Sequence, residues 1–221
     1  MSTQVSTQPY VPTPPRARPA GSRANAAALT AGPLIMLAGS LLHPAESEDG
    51  ARQLAIVHGA AGRWWTAHLL LVAGAVVMIP AVLALARLLR DAAPTWARAG
   101  AIAAVTGCTM LVGVFALEGF GAYALSQVDE RAAAGQAMEQ VADTAMFPFA
   151  LLGLGFTLGI AFLGAGLVRT RTGTPWAGLA VAVGGVVMTA GLVAEVAVLA
   201  AVGMVVLTAG LVGSAVTVRR G

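Results

Sequence analysis

The chain has 221 residues, 57% of them hydrophobic and only 10% charged, with a mean hydropathy of +0.80. Soluble domains carry charge on about a quarter of their residues, so this composition excludes an ordinary water-soluble fold. The net charge of +3 comes from arginine without any lysine. Because the arginines fall between apolar runs, they point to membrane topology and lipid headgroups, and no nucleic-acid partner is indicated.

Residues 1–24 set Pro9, Pro12, Pro14, Pro15 and Pro19 among Ser, Thr and Gln. They hold too little apolar surface to fold and are expected to form a disordered cytoplasmic tail. Arg16, Arg18 and Arg23 then precede an apolar run over 25–42. That run is longer than a usual signal core and closes on Leu42-His43-Pro44 without a small-x-small cleavage site, so it reads as a retained first helix.

Further apolar runs occupy 66–88, 99–121 and 147–168, each near the ~20 residues a helix needs to cross the hydrocarbon. The stretch from Trp176 to Val218 is too long for one span. Dividing it at Glu195, its only charge, gives spans at 176–194 and 196–218. The expected architecture is therefore an all-α integral membrane protein, a six-transmembrane-helix bundle over 25–218.

Six spans place Arg16, Arg18, Arg23, Arg87, Arg90, Arg98, Arg169, Arg171, Arg219 and Arg220 on one side, and Arg52, Arg63 and Arg131 on the other. By the positive-inside rule both termini are then cytoplasmic, in a plasma-membrane protein. Five spans would put Arg219 and Arg220 outside, against that bias.

Two outer loops are long enough for structure. The first, from Ser47 to Trp65, opens on an N-cap residue at Ser47 and an acidic turn, and spaces Leu54, Val57 and Ala61 as a short surface helix would. The second, from Asp129 to Ala145, reads similarly. Trp64 and Trp65 at the outer end of helix two, and Trp176 at the inner end of helix five, are expected as interface anchors of the aromatic belt.

Lipid supplies no hydrophobic drive between helices, so close approach at small residues must hold the bundle together. Gly32, Met36, Gly39 and His43 share a face of helix one, and Gly100, Ala104, Gly107, Leu111 and Glu118 lie near one stripe of helix three. Gly155 and Gly159 form a GxxxG, a candidate face for a homo-oligomer. The likeness of residues 186–193 to 205–212 reads as drift in Val/Ala/Gly-rich helices. Cys108 stands alone in an apolar run and reads as packing.

The ionisable groups within or beside the spans all fall toward the outer leaflet. His43 closes helix one, His68 begins helix two, and Glu118 lies in the outer half of helix three. A carboxylate inside a span costs several kcal/mol unless protonated, paired or wetted, so Glu118 is the sharpest of them. Because the three helices are sequential, these side chains are expected to converge, with His58, Asp143 and Glu195 joining from above. Two imidazoles and a carboxylate are also the ligand set of an open zinc site or of another divalent metal. A bis-histidine haem through His43 and His68 is a lesser alternative.

No HExxH, GxSxG, Walker or GxGxxG motif is present. Leu42-His43-Pro44, followed by Trp65-Thr-Ala-His68-Leu-Leu-Leu71 and Ala84-Leu-Ala-Arg-Leu-Leu89, resembles a pattern in uncharacterised polytopic membrane proteins of actinobacterial type. That resemblance implies a six-helix bundle and transfers no catalytic residue. The residues alone favour a non-catalytic, structural or sensing role for the outer His/Glu cluster. The alternatives are a metal-dependent membrane enzyme using His43, His68 and Glu118, and a small proton-coupled transporter with Glu118 as the coupling residue.

Overall fold

The computed structural model describes residues 20–47, 49–194 and 196–220; most of the Pro-rich segment and Glu195 lie outside them. All regular structure among the described residues is helical. Six helices are long and apolar enough to cross a membrane: Arg23–Leu42, Ala61–Leu89, Pro94–Ser126, Arg131–Thr170, Pro175–Val193 and Val198–Arg219.

The first span belongs to α1 (Ala20–Leu42). It stops where Pro44 disfavours helical backbone at the residue before it. A short helix α2 (Gly50–Gly59) leads into α3 (Ala61–Leu89). Ala93 and Pro94 then start α4 (Pro94–Ala116), with proline in the first turn, where no intrahelical N–H is needed.

α4 passes through a π-helical turn, Leu117–Gly121, into α5 (Ala122–Ser126). α6 (Arg131–Val141) continues through a second π turn, Ala142–Met146, into α7 (Phe147–Thr170). The short outer helix expected within 129–145 is present over Arg131–Val141, but it runs on into the fourth span, since no glycine or proline interrupts residues 136–147. Left-handed Arg171 and Gly173 reverse the chain into α8 (Pro175–Val193), and α9 (Ala197–Arg220) completes the bundle.

The six long helices close a ring in chain order: α1 on α3, α3 on α4, α4 on α7, α7 on α8, α8 on α9, and α9 back on α1. The core inside is apolar, with Met78, Leu85, Leu89, Ile160, Leu163, Leu207 and Leu211 all fully or nearly fully buried.

Small residues set the helix separations. Along the α1–α3 seam, a Cβ on Gly74 would lie 2.4 Å from Met36 Cγ, and one on Gly39 would lie 3.0 Å from Leu71. On the α4–α7 seam, a Cβ on Gly159 would meet the Ala104 nitrogen at 2.3 Å, and one on Gly155 the Ala103 oxygen at 2.9 Å. The GxxxG face, a candidate for joining two copies, is occupied by α4 of the same chain, where Gly100, Ala104 and Gly107 offer the matching groove.

A cap of α2, α5 and α6 covers one end of the ring. Leu54 and Val57 of α2 pack with Trp64, Ala122 and Ala134. Asp49, two residues later than the cap expected at Ser47, caps the start of α2, its carboxylate accepting from the Arg52 N–H at 2.7 Å. Ser47 instead donates its N–H to Gln53 Oε1 at 2.7 Å. The α2 start is held onto α6 by the Gly50 N–H donating to Glu139 Oε1 at 3.0 Å, at a contact where Gly50 and Gly135 leave no room for a side chain.

Candidate metal centre

Under that cap, the C-terminus of α1, the first turns of α3 and the π turn after α4 come together. His43 follows α1, His68 lies two turns into α3, and Glu118 stands on the π turn. One ligand atom from each lies within 4.8 Å of the others. His43 Nε2 is 3.4 Å from His68 Nε2, and His68 Nε2 is 3.8 Å from Glu118 Oε2. The His68 side chain is 0% exposed, while those of His43 at 13% and Glu118 at 21% reach the edge of the site.

The other ring nitrogens decide what the Nε2 atoms can do. His68 Nδ1 is 3.0 Å from the Trp64 carbonyl, one helical turn back, and His43 Nδ1 is 2.9 Å from the Pro44 carbonyl. A carbonyl only accepts, so each Nδ1 carries the hydrogen and each neutral Nε2 carries a lone pair. His43 Nδ1 also lies 3.2 Å from Glu46 Oε1, a second acceptor that favours the same tautomer. Two lone pairs therefore face each other at 3.4 Å with a carboxylate beside them. With both rings neutral the arrangement is repulsive unless a cation, whether a proton or a metal ion, sits between them. Burial lowers the His43 pKa from its ordinary 6.5, with the Glu118 carboxylate pulling the other way, and the lowering favours the neutral ring that a metal requires.

The spacing suits a small ion. With metal–nitrogen bonds of about 2.0–2.1 Å, adjacent corners of a tetrahedron stand about 3.4 Å apart. The imidazole pair matches that edge, and the Glu118 carboxylate, on a flexible side chain, stands 3.8 Å from His68 Nε2 and within 4.8 Å of the His43 ligand atom. Nδ1–H donation to a carbonyl is the usual outer support of a metal-bound histidine. The two rings sit 4.8 Å apart, edge to face at 61°, and leave no slot for a porphyrin plane between them. The bis-histidine haem is dropped.

No protein-family model, curated protein or solved structure matches this chain. The centre therefore rests on its own geometry.

Three supports of the centre were not assigned to it from the sequence. Trp64, expected as an interface anchor, is fully buried and has no face for headgroups. Its ring lies 4.4 Å from that of His68 and 4.8 Å from that of His43, and its indole N–H donates to the Gly119 carbonyl at 2.9 Å. The pairing of two tryptophans had suggested a belt, but helical periodicity turns the first inward and leaves Trp65 outside, 42% exposed and packed on Phe120 and Tyr123.

Gly119 is the second support. A Cβ there would lie 2.4 Å from His68 Cβ and Cγ, so only glycine lets the ring lie against the π turn. Arg63 is the third: its guanidinium donates to the Leu42 and His43 carbonyls at 2.7 and 3.0 Å, pinning the frayed end of α1. Glycines beside an intramembrane acid were the one visible signal for Gly119.

The remaining candidates stand apart. His58 Nδ1 meets the Ser126 carbonyl at 3.0 Å and ties α2 to α5. Asp143 is exposed on the second π turn. Glu195 lies outside the described residues, and Trp176 is 55% exposed at the start of α8. Cys108 is buried between helices.

Proposed function

We propose that this protein is a multi-pass membrane metalloprotein in which His43, His68 and Glu118 hold a divalent transition metal, zinc foremost. The observation that carries the reading is the approach of the two Nε2 atoms to 3.4 Å, with the Glu118 carboxylate beside them, while both Nδ1 atoms are engaged by carbonyls. Such a pair is costly in apolar surroundings without a cation, and the acid beside it supplies compensating charge.

Three protein ligands leave at least one coordination position open, the hallmark of a catalytic rather than a structural zinc site. The cluster moves thereby from the structural or sensing role that the residues alone favour toward metal-dependent chemistry. The apolar core beneath it, with Met78 and Leu85 fully buried, weighs against a proton path to the far side and so against the transporter. By the arginine bias, both termini are cytoplasmic and the centre sits in the outer leaflet of the plasma membrane.

The test is elemental analysis of protein purified in mild detergent, wild type beside His43→Ala, His68→Ala and the nearly isosteric Glu118→Gln. Near-stoichiometric metal in the wild type and its loss from folded variants is the expected result. A metal-free wild type after zinc supplementation and desalting, or undiminished metal in all three variants, overturns the reading.

A further inference from the structure

A cavity of about 340 Å³ adjoins the centre, lined by Glu118 and otherwise by apolar atoms that include Leu117, Gly121, Leu125, Met138 and Met146. It lies between the two π turns, Leu117–Gly121 and Ala142–Met146, with α6 forming one wall. Its volume falls at the lower end of the range for small-molecule sites, about 300–1,000 Å³. Leu117 and Val141 are both lining residues and 37–38% exposed, and each belongs to a helix long and apolar enough to cross the membrane. The mouth is therefore rimmed by exposed apolar side chains, Leu117 on the third span and Val141 on the capping helix α6.

We propose that this cavity receives the hydrocarbon chain of a single-chain amphiphile arriving from the bilayer, with the anionic oxygen of its head at the open position of the metal. The inference rests on the metal centre proposed above and adds the class of ligand. Charge selects the head: two neutral imidazoles and one carboxylate leave a divalent ion with one uncompensated positive charge in low-dielectric surroundings, which favours an anionic oxygen. Shape and lining select the tail, because Glu118 is the only polar side chain on the cavity wall and it is engaged at the metal end.

Gly121 supplies the discriminating variant. It lines the cavity, and a Cβ placed on it meets nothing within 4 Å, so a larger side chain can start there without a clash and Gly121→Leu is the variant chosen to narrow the cavity. The experiment loads purified protein with Co²⁺ and follows its visible absorption during titration with acetohydroxamate, hexanohydroxamate and octanohydroxamate. Comparing wild type with Gly121→Leu at each chain length cancels partition of the probe into detergent.

Both proteins should bind Co²⁺ equally and respond to acetohydroxamate alike. The wild-type advantage should then widen with length, by up to about fourfold for each methylene accommodated. Bound Co²⁺ with the same length dependence in both proteins overturns the chain subsite and leaves the metal centre standing. Failure of the wild type to bind Co²⁺ overturns the metal reading and this inference with it.

Discussion

Replacing Gly119 by alanine tests the packing that builds the centre, using a single methyl group. Its Cβ would stand 2.4 Å from His68 Cβ and Cγ and 2.6 Å from Cδ2, whereas ordinary contact begins at 3.4 Å, so about 1 Å of separation must be found. The His68 ring cannot retreat freely, because Trp64 lies 4.4 Å away on one side and His43 4.8 Å away on another. The π turn must move instead, and Glu118 is the preceding residue on it.

Overpacking of this kind costs about 1–3 kcal/mol. Disturbing the support of a metal ligand commonly lowers affinity by about 10–100-fold. Gly121→Ala is the matched control: it adds the same methyl to the same turn, where nothing lies within 4 Å. The assay is zinc affinity by competition with a chromophoric chelator, with thermal unfolding in detergent alongside. Gly119→Ala should lose both affinity and stability while Gly121→Ala keeps both. Equal zinc affinity in the two variants would refute the argument that Gly119 sets the distance between His68 and Glu118.

Other consequences are accessible with the same material. Trp64→Phe removes the indole donor to the Gly119 carbonyl. The cost should lie toward the lower end of about 1–3 kcal/mol, since the Ala122 N–H also reaches that oxygen, and it would be read as a lowered unfolding temperature with weaker zinc binding. Gly159→Leu should destabilise the monomer by separating α4 from α7, without changing the mass of the detergent-solubilised particle in light scattering; a halved mass at unchanged stability would restore the oligomer face. In chelator-treated protein, His43 is surrounded by Glu118, His68, Glu46 and Arg63, and burial lowers its pKa. The unfolded chain then takes up this proton first, so the contribution is present above pH 6.5 and is lost as pH falls below it toward the lowered folded value. Unfolding temperature against pH should show that decline in the wild type and a shallower one in His43→Gln.

Helix number was legible because the free energy of crossing hydrocarbon depends on the local length of an apolar run, which needs no knowledge of neighbours. Glu118 stood out for the same reason, as a charge in a segment that should hold none. The outer segment at 129–145 was less legible: its polar residues suggested a separate short surface helix, whereas helix continues from it through the π turn into α7.

Tertiary structure alone decided the rest, because those features depend on pairs of residues far apart in the chain. Periodicity marks Gly155 and Gly159 as a contact face but cannot say whether the partner is another copy or, as found, Gly100 and Ala104 of α4. Two adjacent tryptophans look alike until packing buries Trp64 against both histidines. The tautomers of His43 and His68, and with them the facing lone pairs, follow from which carbonyl lies beside each Nδ1, and only the folded backbone places those carbonyls.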